Sequence, residues 1–342
     1  MSLYVYSAEK ERLSEVRSVT SLQWQEEYCG IGEAKLVCGA TVANLALLQP
    51  GNLLHNSERP KLLALIQSVE VDDNSKTARL TVRARLTVCR LAERAVYYTE
   101  SYTHAGQGMR DIVQHNLRGL PLTAPELPAD FEDTALVSWG SVLDAVKDIA
   151  KASGLGFRVA ADDALAESFE VYRGIDRSVP GSPEYVGFFG DAAGNLASIK
   201  LKNDVSGSKN VAIVCGQGEG AARRMVEVDL SADGKRRELY VDARDLSQTV
   251  IENGAQHTLT NVEYDALLQA RGLAKLIETA GCLTVKAQLA QRMLLFGQDY
   301  ELGDILPLRA AKYGVAVNVR VAKIKIVYER TKSIEAALEV VL

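Results

Sequence analysis

From Ser21 to Leu54 the hydrophobic pattern changes period twice. Leu22 and Trp24 alternate with Gln23 and Gln25, and Ala34, Leu36 and Cys38 alternate with polar or smaller neighbours. A two-residue period is that of half-buried strands. Gly30-Ile31-Gly32 between them predicts a turn. Thr41 stands just before a short apolar run, as a helix N-cap does, and Gln49-Pro50-Gly51 stops that helix and leads into a third strand. Nothing in this unit is chemically reactive.

A second β pattern runs from Lys61 to Val88. One arm turns at Asp72-Asp73-Asn74-Ser75 and returns with Ala78, Leu80, Val82, Ala84, Leu86 and Val88 alternating with Arg79, Thr81, Arg83, Arg85 and Thr87. This is a long antiparallel hairpin with one buried and one basic face. The basic face reads either as a partner surface or, preferred here, as a solvated strand face.

The middle of the chain changes character. Met109 to Leu117 and Val142 to Ala152 have apolar residues at helical spacing, with Gly154 as the stop of the second. A proline-rich connector, GLPLTAPELPADFED, lies between them, and Gly156–Ala160 and Phe169–Tyr172 read as short strands. From about Asn195 the β pattern returns. NVAIVCG and RRMVEVDL pair across a glycine-rich turn, and RRELYVDARD follows the Ala232-Asp233-Gly234 turn. One long helix, with an Asn cap, spans Asn261 to about Thr279. Strands resume at LTVKAQLA and run through GVAVNVRVAKIKIVYE. The expected units are 1–95, 96–190 and 191–342, two β-rich regions flanking a mixed one; the first is open to completion by a later segment.

Composition narrows the function classes. A chain of 342 residues with 47% hydrophobic and 24% charged residues is ordinary for a globular protein. A net charge of −5 argues against a surface built to grip nucleic-acid phosphates, although not against one past which DNA moves. Cys29, Cys38, Cys89, Cys215 and Cys282 are odd in number and scattered, which favours reduced, buried thiols and cytoplasmic synthesis. No apolar signal core opens the chain, and no run approaches the ~20 apolar residues of a membrane helix, so no membrane anchor is expected.

The strongest enzymatic motif is Gly216-x-Gly218-x-x-Ala221, after the strand-like VAIVC. Dinucleotide binding requires such a turn to open a helix whose N-terminus faces the pyrophosphate. Here Met225, Val226 and Val228 follow at strand spacing, so a β-hairpin turn is the better account. His55, His104, His115 and His257 fall in no metal-ligand spacing. Asp72-Asp73, Asp162-Asp163 and Glu132-Asp133 lie in polar, turn-like stretches. Trp24 and Trp139 sit in apolar contexts and read as core, too few for an aromatic sugar-binding platform. Thirteen tyrosines hint weakly at interfaces. The reading is therefore a non-enzyme, with no catalytic, cofactor-binding or metal residues and no cofactor.

Taken together, LQWQEEYCGIGEAKL…NLALLQPGNLL, SVLDAVKDIAKASGLGFRV, YRGIDRS, GNLASIKLKNDVSGSKNVAIVCGQGEG, RRELYVDARDLSQ and DYELGDILPL, in that order, resemble the tail-tip (baseplate) hub proteins of phages and prophages. That family is related to the N-terminal module of siphovirus tail-associated lysins and to the baseplate hub of contractile-tailed phages. The resemblance covers nearly the whole chain. It implies a β-rich α+β fold with two β-barrel-like units around an α+β module. It also implies a homotrimeric ring at the virion tail tip, docked on the tail tube or distal tail protein. Such a ring holds the tape-measure protein, carries a fibre or central spike subunit, and passes DNA without specific binding. An acidic balance suits a lumen that repels phosphates. Lysin-bearing relatives continue into a hydrolase or fibre, and with the sequence stopping at Leu342 any such activity is expected from another subunit. The alternatives are a tail subunit binding a host-surface polysaccharide, or a dinucleotide enzyme using Gly216–Ala221.

Overall fold

The computed structural model describes residues 1–73, 78–97, 100–127, 132–137, 140–232, 234–252, 255–279 and 282–341. The first region supplies β1 (Leu3–Tyr6), β2 (Arg12–Glu15), β3 (Val19–Glu27), β4 (Glu33–Gly39), α1 (Val42–Leu47), β5 (Leu53–Asn56), β6 (Leu63–Asp73) and β7 (Ala78–Leu86). The middle supplies β8 (Ala95–Val96), β9 (Glu100–His104), α2 (Ala105–His115), β10 (Glu132–Val137), β11 (Gly140–Ser141), α3 (Val142–Ser153), β12 (Gly156–Ala161) and β13 (Glu167–Tyr172). Then come β14 (Phe189–Gly190), β15 (Leu196–Asp204), β16 (Val211–Cys215), β17 (Met225–Asp229), β18 (Glu238–Asp242), β19 (Thr249–Glu252) and β20 (Ala255–Thr258). The chain finishes with α4 (Asn261–Thr279), β21 (Cys282–Leu289), β22 (Ile305–Ala310), β23 (Val315–Tyr328) and β24 (Lys332–Val341).

The opening follows the sequence pattern closely. Leu22, Trp24, Ala34, Leu36 and Cys38 are all buried on one face of the β3–β4 pair. The Thr41 hydroxyl accepts the Asn44 amide at 3.1 Å, and buried Asn44 ties α1 down through the Arg17 and Gly39 carbonyls. The β6–β7 hairpin forms as expected, with Leu80, Val82, Ala84 and Leu86 inward. It ends sooner than the alternation implies, because Thr87–Glu93 winds into a buried 3-10 helix. Parts of the turns expected at Asp72–Ser75 and Ala232–Gly234, and of the connector from Gly119 to Asp133, lie outside the described residues. So does Trp139.

One large sheet organises the molecule, in the order β15-β21-β24-β23-β3-β4-β7-β6-β5-β1-β2, with β22 and β14 attached beside β23. The fold is β-rich α+β. Its pivotal strand is β23. One edge pairs with β24 along nearly its whole length. The other is divided, with Val315–Arg320 bonded to β22 and Lys323–Tyr328 bonded to β3. A register shift between Val321 and Lys323 marks the changeover.

A single apolar cluster runs through this sheet and takes in α2, α3 and the β12–β13 hairpin. Helix α3 stops at Gly154, which adopts the left-handed conformation at φ 65°. β15 and β21 are antiparallel neighbours, from Leu196↔Leu289 to Asp204↔Cys282, so everything between them is an excursion from one end of that pair. This excursion holds β16 to β20 and α4, and has its own core of Ala212, Val214, Val241, Tyr264, Leu268 and Leu276. Its β19 touches β9 at Ile251↔Glu100. The cap of α4 is Thr260 rather than Asn261. Thr260 and Glu263 satisfy each other's amides in a capping box.

Candidate functional site

Beyond Glu27 the buried face of β3 continues without interruption to Tyr28, which reaches the place where the large sheet, the β12–β13 hairpin and the 301–304 loop meet. Tyr28 donates its amide to Ala322 and accepts that of Phe157 on its carbonyl, at 2.9 and 3.2 Å. Its hydroxyl donates to the Gly154 carbonyl at 3.0 Å and accepts the Gly174 amide at 3.1 Å. Arg320 lies 5.1 Å over the ring and donates to the same Gly154 carbonyl at 2.6 Å. Tyr172 meets the ring edge-on at 5.4 Å.

Room for this ring exists because Gly156 and Gly303 beside it have no side chains. A Cβ on Gly156 or on Gly303 would lie 2.2 Å from Tyr28 Cε2, and Gly303 has φ +96°, so both positions require glycine. Burial pushes the hydroxyl of Tyr28, and more strongly that of Tyr172, above the usual phenol range, so both stay protonated.

Buried ion pairs stand around this cage. Glu26, on the inward face of β3, accepts two bonds from Arg59 at 2.6 and 2.7 Å. Arg59 also approaches Glu301 at 3.6 Å and covers the Phe296 ring. Asp304 takes Arg177 at 2.7 Å and the amides of Ile175 and Glu301 at 2.7 and 3.0 Å. Further along, buried Glu167 receives Arg90 at 2.6 Å and Lys10 at 3.2 Å. Each pair joins segments far apart in sequence. Between them lies a cavity of about 240 Å³ lined by Leu62, Leu86, Val88, Phe157 and Leu302.

Chemically this is a joint. Glu26 and Asp304 are committed to arginines and, for Asp304, backbone amides. Three thiols, those of Cys29, Cys38 and Cys89, are held in the unreactive form. Burial pushes Cys29 up to about 12 and Cys38 and Cys89 to about 11, so they are protonated near neutrality. Among the described residues no group of three His, Cys, Asp or Glu is placed to hold a metal ion.

The glycine-rich motif is a hairpin turn. Strand β17 returns antiparallel along β16 after one short 3-10 turn at Gly220–Ala222. The Gln217 amide donates to the Tyr264 hydroxyl at 2.9 Å, and Arg223 takes the Cys215 and Gly216 carbonyls. A pyrophosphate would find that amide already engaged.

The other sequence candidates stay apart. His55 packs between Tyr4 and Tyr6 and bonds the Pro60 carbonyl. Asp162 closes its own turn by accepting the amides of Ala164 and Ala166. The side chains of Glu132 and Asp133 lie outside the described residues. Sequence reasoning overlooked Tyr28, Arg59, Arg177 and Arg320. The available signal was Glu26, whose position in the Leu22, Trp24 alternation puts a carboxylate on an inward face and so calls for a cation.

Comparison with known proteins agrees with this architecture. The family model described as Siphovirus ReqiPepy6 Gp37-like protein matches residues 2–340. Among solved structures, the tail protein from Neisseria meningitidis MC58 superimposes with a TM-score of 0.62 at 13% identity, covering 99% of this chain and 96% of that one. The 43 kDa tail protein of prophage MuSo2 from Shewanella oneidensis gives 0.62 at 9% identity, covering 99% and 98%. Prophage tail protein gp18 from Listeria monocytogenes EGD-e gives 0.52 at 10% identity, covering 98% and 94%. At these identities the likeness is one of fold. No curated protein sequence matches the chain.

Proposed function

We propose, given that the chain belongs to the Siphovirus ReqiPepy6 Gp37-like protein family and is a structural protein of the phage tail, that it forms the hub at the tail tip. In this reading three copies close a ring on the end of the tail tube, against the tube or distal tail protein. The ring holds the tape-measure protein, carries a fibre or spike subunit, and lets DNA pass.

The observation that carries the proposal is the divided edge of β23. One strand completes two neighbouring β-rich regions, the one containing β3 and the one containing β22. A chain with two such regions presents six from three copies, which suits a trimer seated on a sixfold tube. The units 1–95, 96–190 and 191–342 belong to this proposal, with β23 completing the first barrel-like unit.

The outward face of β23 supports passage of a polyanion. It mixes both signs, with Lys323 paired to Glu27 at 2.6 Å and Lys325 to Glu335 at 2.7 Å. Cations paired in this way have little grip on phosphates. No catalytic role is proposed.

The test is light scattering behind size exclusion at high concentration, with negative-stain images of the peak. A trimeric mass and ring-shaped particles with a central opening are expected. A monomer that binds a dinucleotide would overturn the proposal.

A further inference from the structure

The large sheet has two ends. Among the described residues β15 hydrogen-bonds only to β21 and β2 only to β1, so each leaves one edge without a neighbouring strand. An unpaired edge nine residues long is a template for another chain. Leu196, Ile199 and Leu201 of β15 pack against the main core yet are only half-buried, so the core is incompletely covered here. At the other end Leu13 of β2 is 47% exposed.

The charges at the two ends are opposite and unmatched. Lys200 lies directly across from Lys286 on β21, an arrangement of like charges that disfavours the pair. Neither lysine has a carboxylate partner among the described residues, whereas neighbouring Lys202 is bonded to Asp204 at 2.6 Å. Around β2 the exposed carboxylates of Glu9, Glu11 and Glu15 likewise have no cation, because Lys10 turns inward to Glu167 and Arg12 lies over the Tyr4 ring.

We propose that these ends meet between copies: the β15 edge of one protomer pairs with the β2 edge of the next, which brings the end bearing Lys200 and Lys286 beside the end bearing Glu11 and Glu15. The contact is head-to-tail, the type that closes a ring when the rotation per copy is right. It rests on the ring reading above and specifies its seam. The two ends differ in charge, so a symmetric β15-to-β15 contact is disfavoured.

The experiment uses paired charge reversals in the full chain, with mass followed by light scattering over a dilution series. Lys200→Glu with Lys286→Glu, and separately Glu11→Lys with Glu15→Lys, are each expected to weaken the ring roughly a hundredfold. All four together restore the charge match and are expected to associate nearly as the unaltered chain does. The altered side chains are exposed, so melting temperatures should stay within a few degrees of it, which separates lost assembly from lost folding.

If the ring is unaffected by either reversal, the seam lies elsewhere and the edge lysines serve only to repel stray strands; the ring reading then survives. If reversal breaks the ring but the fourfold variant does not restore it, the Lys–Glu pairing is overturned. An unaltered chain that is monomeric at the highest attainable concentration overturns seam and ring together.

Discussion

The joint around Tyr28 and the excursion between β15 and β21 use the same bond for different ends. In both, arginine meets carboxylate at similar distances. Arg59 and Glu26 are 2.6 Å apart with side chains 17% and 5% exposed, while Arg236 and Glu227 are 2.8 Å apart with 39% and 47%. In the joint the pair is shielded, and Arg59 reaches on to Glu301, so together they tie β3 to the 301–304 loop. In the excursion Arg236 bonds Glu227 and Asp229 of β17 and Glu238 of β18, and all four side chains are exposed. Surface pairs of that kind add little to stability, whereas a buried pair is expensive to break because the remaining charge has no water.

The contrast is broken most directly at the joint. Glu26→Ala leaves buried Arg59 with only Glu301, 3.6 Å away and half-exposed, and is expected to cost about 3–5 kcal/mol in denaturant unfolding. The double change Glu26→Met with Arg59→Leu should be close to neutral. If the single and double variants lose equally, the pair is not what fixes the joint. Tyr28→Ala should cost a similar ~3–5 kcal/mol through the cavity it opens, and Tyr28→Phe about 1–3 kcal/mol through the unpaired Gly174 amide.

An alkaline titration sharpens the same point. Thiols raised from near 9 to about 11 (Cys38, Cys89) and about 12 (Cys29) stay protonated in the fold after the unfolded chain ionises. Their contribution is therefore complete below about pH 9 and is lost as pH rises through the folded values, with the raised tyrosines adding above about pH 10. The denaturation midpoint should hold up to that pH and then fall, and Cys29→Ala should fall less steeply than the unaltered chain.

A smaller effect is expected in the excursion. A Cβ on Gly272 of α4 would lie 2.6 Å from Val214 Cγ2, so Gly272→Leu should cost about 1–3 kcal/mol. Its core is separate, so the loss should show as faster amide exchange in β16–β18 while β3 and β23 stay protected. Equal loosening throughout would mean that the two regions unfold as one. Least affected is Arg236→Ala, whose midpoint should match that of the unaltered chain.

Legibility in the sequence followed locality. The β3–β4 turn, Thr41, the stop of α3 at Gly154 and the extent of α4 are set by residues a few positions apart, and periodicity or capping reports them. The cap of α4 was misplaced by one residue because Thr260 and Asn261 are both capping types, and only the reciprocal bond with Glu263 separates them. Short strands such as β1 and β2 carry too few alternations to stand out, whereas β5 is announced by the Pro50-Gly51 turn before it. The pairing of β3 with β23, and the parallel pairing of β16 with β18, depend on contacts that no local window contains. Tyr28 was invisible for the same reason. Gly156, Gly174 and Gly303 each look like ordinary turn glycines until the fold brings them around one ring.

The divided edge of β23 also orders events at the ribosome. β3 emerges early, but the strand that covers its second edge is made roughly 300 residues later. At the usual pace of synthesis of about 5–20 residues per second, that edge stays bare for roughly 15–60 s. A chain broken off anywhere before β23 keeps it bare indefinitely, a mark by which proteases and chaperones can tell an unfinished copy from one ready to enter a particle.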